Sequence, residues 1–75
     1  MMQIIDGLLY DTAASTLIYL DEANNRRWYK TQNGNYFVLY GTGEIAPKSE
    51  EAVKAFLGQR DVKKYIELFG EPQEA

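Results

Sequence analysis

The chain has 75 residues, which is one domain near the size where a single core only just offsets chain entropy. Hydrophobic residues make up 45% and cysteine and histidine are absent, which excludes disulfides, thiolate or imidazole metal sites, and Ser-His-Asp or Cys-His catalysis within the chain. Eight basic against eleven acidic residues give a net charge of −3, a balance that does not suit general binding to phosphate backbones.

In chain order, Met2-Gln3-Ile4-Ile5 and Leu8-Leu9-Tyr10 flank Asp6-Gly7, a two-residue hairpin signal. Asp11-Thr12 is placed to cap a turn over Ala13-Ala14-Ser15. Thr16-Leu17-Ile18-Tyr19-Leu20, β-branched and aromatic, reads as a third strand, and Asp21–Asn25 as a polar connection. Two aromatic segments joined by Asn33-Gly34 follow over Trp28–Tyr40, the pattern of a type I′ hairpin with a two-residue loop. Gly41-Thr42-Gly43 ends that hairpin. It lacks the Gly-Lys-Ser/Thr ending of a phosphate loop and reads as a turn.

Glu44-Ile45-Ala46-Pro47 fits a short edge strand, where the donor that proline lacks is not needed. Ser49 has the character of an N-cap, with Glu50 and Glu51 favouring the positive end of a helix dipole. Ala52, Val53, Phe56 and Leu57 form an apolar stripe, and Gly58 is expected to stop the helix. Asp61 can cap a second helix with Val62, Tyr65, Ile66 and Phe69 at i, i+3, i+4, i+7 spacing; Gly70 and Pro72 close it. The pattern predicts an α+β fold: an antiparallel sheet of four to five strands over residues 2–47, containing two hairpins and packed by two short C-terminal helices in residues 49–70. Residues 1–75 form one domain.

The adjacent carboxylate pairs Asp21-Glu22 and Glu50-Glu51 diverge on a strand or a helix and lack calcium-loop spacing, so no metal or other cofactor is expected. Arg26-Arg27-Trp28-Tyr29-Lys30 is the one basic-aromatic cluster, of the kind that stacks on bases and contacts phosphates in single-stranded nucleic-acid sites. A two-residue loop makes Gln32 face Asn35, so Trp28 pairs with Leu39, Tyr29 with Val38, Lys30 with Phe37 and Thr31 with Tyr36. That register puts Trp28, Phe37 and Leu39 on one face as the floor beneath the helices. Tyr29, Tyr36, Val38 and Tyr40 fall on the other, an open face that is either an interface patch or ordinary cross-strand packing. No apolar run approaches the ~20 residues of a membrane helix, and Met1–Tyr10 has no basic n-region, so a cytoplasmic protein is expected.

Tyr10-Asp11-Thr12 after an Ile-x-Gly-x-x hairpin resembles the opening of a family of short proteins from phages and other bacterial mobile elements. So do Lys30-Thr31-x-x-Gly34-x-Tyr36-Phe37-x-x-Tyr40-Gly41-x-Gly43, Pro47-x-Ser49-Glu50-Glu51-Ala52 and Tyr65-Ile66-x-x-Phe69-Gly70-Glu71. Some members of that family are anti-CRISPR proteins against Cas9-type effectors. The family has a longer glycine-rich loop where this chain has only Gly41–Glu44, and the resemblance supplies no catalytic residue. It implies a non-enzymatic inhibitor in the cytoplasm of a bacterial host, binding a larger protein such as a CRISPR effector. The expected partner-binding residues are Arg26, Arg27, Tyr29, Lys30, Tyr36 and Tyr40. The alternatives are a nucleic-acid-binding accessory protein using the Arg26–Lys30 cluster, or a homodimer through the tyrosine face.

Overall fold

The computed structural model describes residues 1–75 as six strands and two helices. Strands β1 (Met2–Ile5) and β2 (Leu8–Asp11) form a separate two-stranded hairpin. Strands β3 (Thr16–Asp21), β4 (Arg26–Lys30), β5 (Tyr36–Tyr40) and β6 (Ile45–Lys48) follow one another in an antiparallel meander. Helices α1 (Glu50–Arg60) and α2 (Val62–Phe69) complete the α+β fold. No helix is long and apolar enough to cross a membrane.

The first hairpin matches its sequence signal. Asp6 and Gly7 have φ of 51° and 77°, the left-handed pair a type I′ turn needs, and Ile5 faces Leu8 across it. The second hairpin does not. Asn33 is not left-handed, Gly34 is, at φ +85°, and Thr31 pairs with Asn35 around a three-residue loop. The Gly34 N–H donates to the Thr31 carbonyl at 3.0 Å and the Thr31 N–H to the Asn35 carbonyl at 2.8 Å. This is a type I turn followed by a left-handed residue in a bulge, the next most common hairpin solution. The Thr31 hydroxyl selects it by accepting from the Asn35 N–H at 3.0 Å. The β5–β6 connection repeats the pattern, with the Gly43 N–H donating to Tyr40 and Gly43 at φ +92°.

One extra loop residue moves the register by one. Lys30 faces Tyr36, Tyr29 faces Phe37, Trp28 faces Val38 and Arg27 faces Leu39. Because side chains alternate, a one-residue slip exchanges the face of a whole strand relative to its neighbour. The expected partition is therefore corrected: Trp28 shares a face with Tyr36, Val38 and Tyr40, while Phe37 and Leu39 lie opposite with Tyr29.

The helices cover the first of these faces. Ile18, Trp28, Tyr36 and Val38 pack with Val53 and Leu57 of α1, joined by Phe56, Tyr65, Leu68 and Phe69. Trp28 stacks on Phe56 at 4.1 Å between centroids. The β1–β2 hairpin lies against the second face, where Tyr10 meets Phe37 edge-on at 5.4 Å within a smaller cluster that includes Ile45. The sheet is thus sandwiched, where the sequence pattern suggested one covered and one open face.

A bulge between Leu17 and Tyr19 offsets β3 against β4. It turns the neighbours Ile18 and Tyr19 both toward the helix-side cluster and leaves Leu17 and Leu20, three residues apart, both exposed on the hairpin side.

Ser49 caps α1 as expected, its hydroxyl accepting from the Ala52 N–H at 3.1 Å. Gly58 does not end the helix. The Asp61 N–H donates to the Leu57 carbonyl at 2.8 Å, so the last turn closes three residues later, and an interior glycine costs only about 1 kcal/mol. Asp61 ends α1 and also caps α2, its carboxylate accepting from the Lys64 N–H at 3.1 Å. Val62, expected on the apolar stripe of α2, is exposed, and Leu68 packs inward instead.

Candidate functional site

The six residues singled out from the sequence divide between the two faces of the sheet. Arg26, Lys30, Tyr36 and Tyr40 point toward the helices; Arg27 and Tyr29 point toward the β1–β2 hairpin. The single open tyrosine face is not formed. Tyr36 is only 5% exposed in the main core, and burial, with the nearby Glu50 charge adding, pushes its phenol above the ordinary tyrosine value. Tyr40 packs against the same core.

The cations on the helix face are engaged. Arg26 donates to the Asp21 carboxylate from Nη2 at 2.9 Å and from Nε at 3.3 Å, and Asn24 donates to the same carboxylate. These donors hold the Asp21 carboxyl below the usual carboxylate range, against the opposite push of burial. Arg26 also lies about 6 Å from the Trp28 and Phe56 rings, and Arg60 reaches Phe56 from α1 at 5.1 Å. Lys30 sits over the Tyr36 ring at 6.0 Å. The Trp28 indole N–H is buried without an acceptor. This assembly is an aromatic stack capped by guanidinium groups and serves to pin α1 to the sheet.

The opposite face offers more to a partner. Along β4, Arg27 and Tyr29 are two residues apart, and the register puts Leu20 beside Arg27 and Leu17 beside Tyr29. Leu17 and Leu20 are 45% and 46% exposed, Arg27 is exposed, and Tyr29 is half-buried, stacked on Phe37 at 5.0 Å. The β1–β2 hairpin covers the Phe37 and Ile45 side of this face. The four residues therefore form an amphipathic quartet beside it, of two leucines, a guanidinium and a phenol. The leucines were missed in the sequence because only the β3 bulge puts residues 17 and 20 on one face, and alternation carries no sign of a bulge.

A cavity of 270 Å³ lies between β2 and the β4–β5 loop, lined by Leu9, Asp11, Ser15, Thr31 and Asn33 among others. Its one carboxylate, Asp11, already accepts from the Ala13 N–H at 3.0 Å, and none of the six residues lines it. The quartet belongs to a small α+β domain with a two-sided β-meander. Compared with known proteins, the chain matches no family model, no curated protein and no solved structure.

Proposed function

We propose that the chain is a non-enzymatic protein-binding module that acts by occlusion, setting the Leu17–Leu20–Arg27–Tyr29 quartet against a larger protein. The observation that carries this reading is the juxtaposition of two half-exposed leucines with Arg27 and Tyr29 on one sheet face. Arginine and tyrosine concentrate binding energy at interfaces, and apolar neighbours exclude water around them. Arg27 has no carboxylate within ion-pair distance in this fold, so an acidic group on the partner is its natural complement. The resemblance to short phage and mobile-element proteins supplies the setting: inhibition of a host defence complex, with a Cas9-type effector as the named target.

The test is capture from bacterial host lysate with the wild type and with Arg27→Glu and Leu20→Ser, alongside a plasmid-interference assay. Binding and inhibition that are present in the wild type and lost in both folded variants support the proposal. Retention of the same partner by both variants overturns the quartet as the site. Affinity for single-stranded nucleic acid that falls steeply with salt would favour the nucleic-acid reading instead.

A further inference from the structure

The strand edges of this fold are not treated alike. In the four-stranded sheet, β3 carries a bulge and β6 carries Pro47 and Lys48, devices that blunt an edge against pairing with another chain. Strand β1 has neither. Its four residues, Met2-Gln3-Ile4-Ile5, hold no charge, no proline and no bulge, and β2 is its only sheet neighbour. Met2 and Ile4 are 67% and 71% exposed, far more than the leucines of the quartet.

The register identifies which backbone groups are free. In a two-residue hairpin the residues flanking the turn form a hydrogen-bonded pair, so Ile5 bonds Leu8 and Gln3 bonds Tyr10. The Thr12 N–H donating to the Met1 carbonyl at 3.0 Å continues the same parity. The N–H and C=O groups of Met2 and Ile4 therefore point outward from the hairpin. On its outer face Met2 and Ile4 lie with Leu9, which is 56% exposed, and with the half-buried Asp11 opposite Met2; Leu8 is exposed at the turn.

We infer that β1 pairs with β1 of a second copy across a two-fold axis through Gln3. In that register Met2 faces Ile4 of the second copy, and the two exchange both main-chain hydrogen bonds. Gln3 faces its own equivalent on the axis. The arrangement is isologous, as closed dimers require, and no charged side chain of one β1 faces another. It joins two hairpins into a four-stranded sheet, order β2-β1-β1-β2, whose outer face carries Met2, Ile4 and Leu9 of both copies at its centre and Asp11 of each copy on the outer strands. A second copy fits this edge better than a charged partner, because β1 offers unpaired backbone, apolar groups and one uncharged amide, and no charged side chain. A pair of four-residue strands makes a small contact, in the class below about 1,200 Å² that weak and transient associations occupy. The quartet lies outside this contact, so the dimer is tested independently of the proposed function.

Gln3 is exposed, and its equivalents form a non-hydrogen-bonded pair with Cα atoms about 4.5 Å apart, a spacing that a disulfide can bridge. The chain has no cysteine of its own, so Gln3→Cys gives a single thiol, and Asn33→Cys in the β4–β5 loop, outside the paired strands, is the control. Sedimentation of the wild type should show monomer passing to dimer as concentration rises from micromolar to about a millimolar. Gln3→Lys should weaken the dimer at least tenfold with the circular dichroism unchanged, and mixing it with Gln3→Glu should restore a heterodimer. Under mild oxidation Gln3→Cys should cross-link and Asn33→Cys should not. A wild type that stays monomeric at a millimolar, a dimer indifferent to Gln3→Lys, or equal cross-linking of the two cysteine variants would each overturn the inference.

Discussion

Tyr29 and Phe37 face each other directly across β4 and β5, their rings stacked 5.0 Å apart and 12° from parallel. The stack locks the register that the three-residue loop creates, and it separates Tyr29 from Tyr36 and Tyr40. Cross-strand aromatic pairs of this kind are worth about 0.2–1 kcal/mol each relative to alanine pairs.

Substitution of the tyrosines should reveal that separation. Tyr36→Ala empties a site in the main core and should cost about 3 kcal/mol or more, a large share of the stability of a domain this small. Tyr29→Ala removes a half-buried ring and should cost less, leaving a folded chain. Urea titrations of both variants check the order, and a greater loss in Tyr29→Ala would contradict the observed faces.

The loop that sets the register depends on a left-handed residue at Gly34. Nothing lies within 4 Å of a side chain added there, so the cost of Gly34→Ala is conformational, about 1–2 kcal/mol. Gly34→Asn should cost less, because asparagine tolerates the left-handed region. Equal midpoints for the wild type and Gly34→Ala in chemical denaturation would count against this turn geometry.

These positions show what the sequence made legible. The strand positions, the Asp6-Gly7 turn, the Ser49 and Asp61 caps and the inward Val53 and Leu57 follow from local chemistry, and local chemistry is what a single chain displays; that six strands divide into two sheets, where one sheet of four to five is expected, does not. The faces of the second hairpin do not. Asn33-Gly34 serves a two-residue loop and a three-residue loop alike, and the choice rests on a hydroxyl at Thr31 and on where Phe37 finds Tyr10. One residue of loop length, invisible in composition, decides which aromatics enter the core. Arg27 and Tyr29 remained together on one face because both lie on β4, where alternation alone decides.

Acidification should act through Asp21. Its carboxyl is held below the usual value by Arg26 first and Asn24 second, so the folded protein binds the proton less readily than the unfolded chain. The associated stabilisation is present above the ordinary carboxylate value of about 3.9 and is lost as pH falls through the lower folded value. Asp21→Asn should therefore be less stable than the wild type at neutral pH by a gap that narrows below about pH 4. Thermal midpoints measured from pH 2 to 7 give the comparison. A gap of constant size over that range would mean that the ion pair contributes nothing through ionisation.

The β3–β4 and β5–β6 turns meet at Asn25 and Gly41. Asn25 holds a left-handed φ of 52°, and its side chain occupies the space where a residue at 41 would carry its Cβ. Gly41 is thus required by close approach; its own φ lies outside the left-handed region. Gly41→Ala must displace the Asn25 amide, with a cost of about 1–3 kcal/mol, as for other overpacked sites. Asn25→Gly should cost little alone, since glycine accepts the same backbone conformation. In the double variant Asn25→Gly removes the obstructing side chain and should recover most of the loss. A double-mutant cycle by denaturant titration measures that coupling directly. Additive losses would show that the two turns do not press on each other through this pair.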